Sequence, residues 1–188
     1  MADKRTFIAI ALPDTVKEQL GKIQSLLEPV SDGIKWIDPK LMHITLKFLG
    51  DTPEWLLDNV RSEFKRIVSN IKPFQLQLKG LGQFPKEGEP RILWAGMQKN
   101  PYIVYKLSDE LNTAFIAMDF DDTGKRFSPH ITLGRVKHKL HDDLISSYYD
   151  INLEENVFTI DKIIWYESCH RHGKLAYLPL EEYILKSK

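Results

Sequence analysis

The sequence predicts an α+β fold of two similar lobes, formed by a single domain over residues 1–188. Three observations predict it. Apolar residues alternate with period two in some segments and recur every three to four residues in others, so both strands and helices occur. The order strand, helix, strand, strand, helix, strand leads to a Gly/Pro-rich loop near 80–90, and much the same order follows it. The tetrapeptide His-Ile-Thr-Leu stands twice, at 43–46 and 130–133, at corresponding places in the two halves.

Phe7 to Leu12 is an apolar run ended by Pro13 and predicts a buried strand. Val16, Leu20, Ile23 and Leu27 then mark one face of a helix. Ile34 to Ile37 reads as a short strand before a turn at Asp38-Pro39, and Leu41 to Leu49 as another strand. Thr52-Pro53-Glu54 looks like a helix start, with a capping hydroxyl and Pro in the first turn. Leu56, Val60, Phe64, Ile67 and Val68 continue that helix.

Phe74 to Leu78 alternates cleanly, and the irregular loop with Gly80, Gly82, Pro85, Gly88 and Pro90 follows. Arg91 to Met97 predicts a strand, and Asn100-Pro101 opens a helix to about Ala117. His130 to Val136 is a strand, Asp142 to Tyr149 a helix, and Val157 to Tyr166 and Leu175 to Ile184 are the closing strands.

Composition narrows the function. Lys plus Arg and Asp plus Glu number 26 each, which argues against coating long nucleic acid by bulk charge and leaves room for a local basic cleft. The one cysteine, Cys169, cannot form an intramolecular disulfide and fits a reducing cytoplasm. The apolar run after Met1 is too short for a membrane span and lacks a small-residue cleavage site, so no membrane association is expected.

The repeated tetrapeptide carries the chemistry. A single histidine on a strand is ordinarily a hydrogen-bonded structural residue. Two in the same motif, at matching places, are better read as a pair. On a strand His43 and Thr45 share one face while Ile44, Leu46 and Phe48 share the other, and His130 and Thr132 oppose Ile131 and Leu133 likewise. Imidazole transfers protons near neutral pH, and a threonine hydroxyl bonds a phosphoryl oxygen or fixes an imidazole. Two such pairs across one cleft supply a base, an acid and phosphate donors without a metal.

With these residues the chain resembles the 2H phosphoesterase superfamily, specifically the LigT-type RNA 2′,3′-cyclic phosphodiesterases, also called 2′-5′ RNA ligases. The resemblance runs through Arg5 to Ile10, Lys35-Trp36-Ile37-Asp38-Pro39, His43 to Gly50, Leu93-Trp94-Ala95-Gly96, Phe127 to Val136, and Tyr166-Glu167-Ser168 with Gly173 and Tyr177. It implies two pseudo-symmetric lobes, each with an antiparallel sheet and helices, around an active-site cleft. It implies hydrolysis of a cyclic end to a 2′-phosphate, with His43 as proton donor and His130 as proton acceptor. Near-symmetric residues alone do not order those roles, and reverse 2′-5′ ligation exchanges them.

The resemblance also places Arg135 at the substrate phosphate. Regular alternation puts Arg135 opposite to His130 and Thr132, so it reaches the cleft only if the strand ends or bulges at Gly134. Lys47 shares the His43 face by alternation, or is a solvated strand-end lysine. Phe84 and Phe127 are read as loop-anchoring aromatics before base-stacking ones. Cys169-His170-Arg171-His172 reads as an exposed loop, not a metal site, and His138 and His141 as surface residues in a basic turn with Lys137 and Lys139.

The expected substrate-binding residues are therefore Thr45, Thr132 and Arg135, with no metal and no cofactor. The expected partner is RNA with a 2′,3′-cyclic phosphate end, such as tRNA halves, or small cyclic nucleotides. The expected protein is a monomer with no obligate protein partner. Net ligation and a noncatalytic RNA- or nucleotide-binding module are the rival readings.

Overall fold

The computed structural model describes residues 3–30, 32–98, 101–122, 124 and 126–186. Along them run β1 (Lys4–Ala11), α1 (Asp14–Leu27), β2 (Ile34–Trp36), β3 (His43–Thr52), α2 (Leu57–Val68), β4 (Phe74–Phe84) and β5 (Ile92–Gln98). Then follow α3 (Pro101–Ile116), β6 (Ile131–Val136), α4 (Asp142–Asp150), β7 (Val157–Ile160), β8 (Lys162–Arg171) and β9 (Lys174–Ile184). Asn100, expected to open α3, lies outside the described residues.

The strands form two antiparallel sheets, ordered β3-β1-β8-β9 and β2-β6-β5-β4-β7. The α+β, two-lobed reading holds, but the lobes do not divide at 80–90. Each sheet takes strands from both halves of the chain, because pairing is non-local and sequence order carries no record of it. The expected strand Val157 to Tyr166 is two strands: β7 lies in the five-stranded sheet and β8 in the other, and the chain crosses between them at Asp161.

The helices bury the faces their periodicity marks. Val16, Leu20, Ile23 and Leu27 of α1 are buried, and α1 is tied to the five-stranded sheet where Gln24 Nε2 donates to the carbonyls of Ile37 and Leu133, at 2.8 Å each. On the other sheet α3 packs against β3, and Ser108 Oγ donates to the Leu46 carbonyl at 2.8 Å. Fully enclosing such aliphatic side chains gives roughly 1.5–3 kcal/mol each.

Two local expectations fail for identifiable reasons. Thr52 does not cap a helix; it ends β3, and its hydroxyl is 2.7 Å from Thr6 Oγ1 across the β1–β3 pair. β4 does not stop at Leu78 but continues through Gly80 and Gly82 to Phe84. A Cβ at Gly82 would stand 2.3 Å from the Trp94 ring, so glycine is what lets the indole lie flat on this strand. Tyr148 of α4 secures the same place: its hydroxyl meets the Gly82 and Trp94 carbonyls at 2.9 and 2.8 Å and the Gly82 N–H at 3.2 Å. No helix among the described residues is long and apolar enough to cross a membrane.

Candidate active site

Both imidazoles are fixed in the same way. His43 Nδ1 lies 2.7 Å from the Leu41 carbonyl, and His130 Nδ1 lies 2.7 Å from the Ser128 carbonyl. A carbonyl only accepts, so each Nδ1 carries the proton and each neutral ring keeps its lone pair on Nε2. The two Nε2 atoms then differ. That of His43 accepts the Thr45 hydroxyl at 3.0 Å, whereas that of His130 has no such bond to Thr132 among the described residues.

Alternation along each motif is broken at the same place. On β3 the register steps from Thr45, opposite Ala9, to Lys47, opposite Ile8, leaving Leu46 as an extra residue. On β6 it steps from Thr132, opposite Trp94, to Gly134, opposite Leu93, leaving Leu133 as an extra residue. A one-residue bulge turns every later side chain to the other face. Phe48, expected inward, is therefore outward and 60% exposed, 6.0 Å ring to ring from Phe7. Lys47, on the face of His43 by plain alternation, is buried, and its Nζ donates to Asn112 Oδ1 at 2.6 Å and the Asp121 carbonyl at 2.8 Å. Arg135 is turned onto the face of His130 and Thr132, which is the condition under which it reaches the cleft.

Aromatic rings wall the histidines. His43 packs on Phe7, with centroids 4.9 Å apart, and edge-on to Tyr177 at 5.2 Å; Tyr166 stacks on Phe7 at 5.3 Å. His130 lies edge-on to Phe84 at 4.9 Å, with Trp94 behind. Burial disfavours the charged imidazole and lowers the pKa of His43 to about 4, with a further push from the charge of His130. Burial also lowers His130, and the Arg135 guanidinium adds to it. Arg135 also lowers Tyr177, against a larger upward push from burial, so its charge reaches both walls. The two motifs thus share one electrostatic site.

A family model described as LigT like phosphoesterase matches residues 10–94. The chain is 30% identical over 142 residues to the RNA 2′,3′-cyclic phosphodiesterase of Methanothermobacter thermautotrophicus, a match that covers 76% of each chain. It belongs to the LigT-like phosphoesterase family. It is also 35% identical over 134 residues, 71% of each chain, to the enzyme of that name from Thermotoga maritima. The crystal structure of TT0787 of Thermus thermophilus superimposes with a TM-score of 0.83 at 28% identity, over 96% of this chain and 97% of that one.

In this LigT-like chain the remaining candidates are scattered. Phe84 is at the site, against His130, while Phe127 packs edge-on to Tyr105. His138 and Lys137 are exposed, Lys139 pairs with Glu89 at 3.3 Å, and His141 precedes α4. His170, Arg171 and His172 are exposed at the β8–β9 hairpin, and Cys169 is half-buried. Among the described residues no three His, Cys, Asp or Glu are grouped to hold a metal. Sequence reasoning assigns no site role to Phe7, Trp94, Tyr166 or Tyr177. The available signal covers Phe7 and Trp94, aromatic residues on strands paired with the two motif strands and opposite in parity to the core; Tyr166 and Tyr177 lie one and two strands further out, on β8 and β9.

Proposed function

We propose that the protein hydrolyses 2′,3′-cyclic phosphate ends of RNA to 2′-phosphomonoesters, using His43 and His130 as acid and base and no metal. The observation that carries this reading is the asymmetry of the two Nε2 atoms within otherwise matched motifs. His130 Nε2 has no protein donor on its lone pair among the described residues and is suited to take a proton from water. His43 Nε2 is hydrogen-bonded to Thr45, which suits a ring that must be held in place to deliver a proton.

In the proposed step a water oxygen bonds to phosphorus as His130 Nε2 takes its proton. The bond from phosphorus to O3′ breaks, and His43 Nε2–H protonates O3′, leaving a 3′-hydroxyl and a 2′-phosphate. Thr132 and Arg135 donate hydrogen bonds to the phosphoryl oxygens as negative charge builds, and Thr45 does so once protonation of His43 Nε2 releases its hydroxyl hydrogen. The low pKa of His43 means the free enzyme holds that ring neutral at neutral pH. The anionic substrate raises it, because opposite charge favours imidazolium. Substrate binding therefore arms the acid.

Turnover of a dinucleotide with a 2′,3′-cyclic phosphate end in excess chelator, with the product followed by phosphorus NMR, tests this. The expected result is undiminished formation of the 2′-phosphate. No turnover, or turnover that dies with chelation and returns with a metal, would sink the proposal; a 3′-phosphate would reverse the assigned leaving oxygen.

A further inference from the structure

The two sheets are not equal. In the four-stranded sheet the motif strand β3 is the edge, but in the five-stranded sheet the motif strand β6 is covered by one more strand, β2. β2 has only three residues, and its register sets Lys35 directly opposite Arg135. Ile34 and Trp36 pack against the core, so Lys35 stands on the opposite face. After the bulge at Leu133, that is the face of Arg135, His130 and Thr132.

Cross-strand partners have Cβ atoms about 5 Å apart, and like charges so placed destabilise a sheet. Both cations are exposed, and neither forms an ion pair with an acidic side chain among the described residues. On the other flank of Arg135 the partner is Ile92, which offers no counter-charge. Two adjacent unneutralised cations, one of them acting electrostatically on His130, fit two adjacent phosphates. A free cyclic mononucleotide has one phosphate; an RNA end has a second, on the 5′-oxygen of its last nucleotide.

We propose that Lys35 binds this second phosphate, the diester joining the terminal nucleotide to its neighbour, so that β2 makes the enzyme selective for strand ends over free cyclic mononucleotides. The inference rests on the proposed phosphodiesterase activity. It assigns Arg135 to the cyclic phosphate and Lys35 to the next one along.

Steady-state assays on 2′,3′-cyclic AMP and on a dinucleotide with a 2′,3′-cyclic phosphate end, over a range of salt, test it. Wild type should favour the dinucleotide. Lys35→Gln should lower kcat/KM for the dinucleotide about fivefold more than for the mononucleotide, mainly through KM. It should also flatten the dinucleotide's log–log salt slope by about 0.7, as expected for one lost phosphate contact on a single strand. Lys35→Arg should keep the preference, and thermal unfolding should show Lys35→Gln no less stable than wild type. A preference that survives Lys35→Gln, or an equal loss on both substrates, overturns the assignment. If wild type turns over neither substrate, the phosphodiesterase reading itself has failed; if it turns over both without preference, only the second phosphate position has.

Discussion

At residue 43 the imidazole sits between Phe7 and Tyr177 with its Nε2 already bonded to Thr45; at residue 130 the ring meets Phe84 edge-on and its Nε2 has no threonine donor among the described residues. The sequence of the two segments is the same through four residues, and so are the carbonyl anchor and the bulge. Past the bulge they part: the residue turned onto the histidine's face is Phe48 on one side and Arg135 on the other. A repeated motif can thus place two identical groups while their neighbours give them different chemistry. One side is the better insulated, the other the more cationic.

The largest expected effect breaks the pair itself. His43→Ala and His130→Ala should each lower kcat by ~10²–10⁴-fold through lost proton transfer. The double variant should be little worse than the poorer single one, because in the proposed mechanism both rings act on one step. Near-full activity in either single variant with a native circular dichroism spectrum would mean that the repeat is a structural echo only.

The second effect separates the rings by pH. The folded-state pKa of His43 is lowered from 6.5 to about 4, so over that range the unfolded chain binds more protons. Stability must then fall as pH drops from 6.5 through 4, by about 3 kcal/mol from this residue. Urea unfolding across that range should show the loss, and His43→Gln should flatten the curve; an unchanged slope would show that burial at residue 43 is not what sets it apart. Because both histidines are lowered, the kcat/KM profile of the free enzyme should have both limbs below pH 6.5, with the kcat limbs displaced upward by bound substrate.

The smallest effect compares the two residues past the bulges. Arg135→Met should cost about a hundredfold in kcat/KM, the scale of one lost charged donor to a phosphoryl oxygen, while Phe48→Met should cost less than about tenfold. Equal losses in parallel assays would erase the distinction between the two walls.

Much of this is legible in the sequence, and the illegible part has a common cause. Val16, Leu20, Ile23 and Leu27 reveal their helix face because helical period is a local property. His43, Thr45, His130 and Thr132 reveal their shared orientation because each pair sits before its bulge. Plain alternation misplaces Lys47 and Phe48 and leaves Arg135 open, because one extra residue in a ladder inverts the alternation and leaves no mark in composition. The partition of strands between sheets is hidden as well: nothing near Phe7 announces that it lies opposite Tyr166, far along the chain.

That last pairing has a consequence for a chain still emerging from a ribosome. Both histidines are synthesised well before β8 and β9, yet β1 gains its second neighbour, and His43 gains the Tyr177 ring over it, only when the final hairpin folds back. Closing so long a loop is slow relative to forming helices or short hairpins. A nascent chain that already contains His-Ile-Thr-Leu twice would thus have an open, wet His43. Its imidazole would titrate closer to that of an ordinary surface histidine until the hairpin arrives.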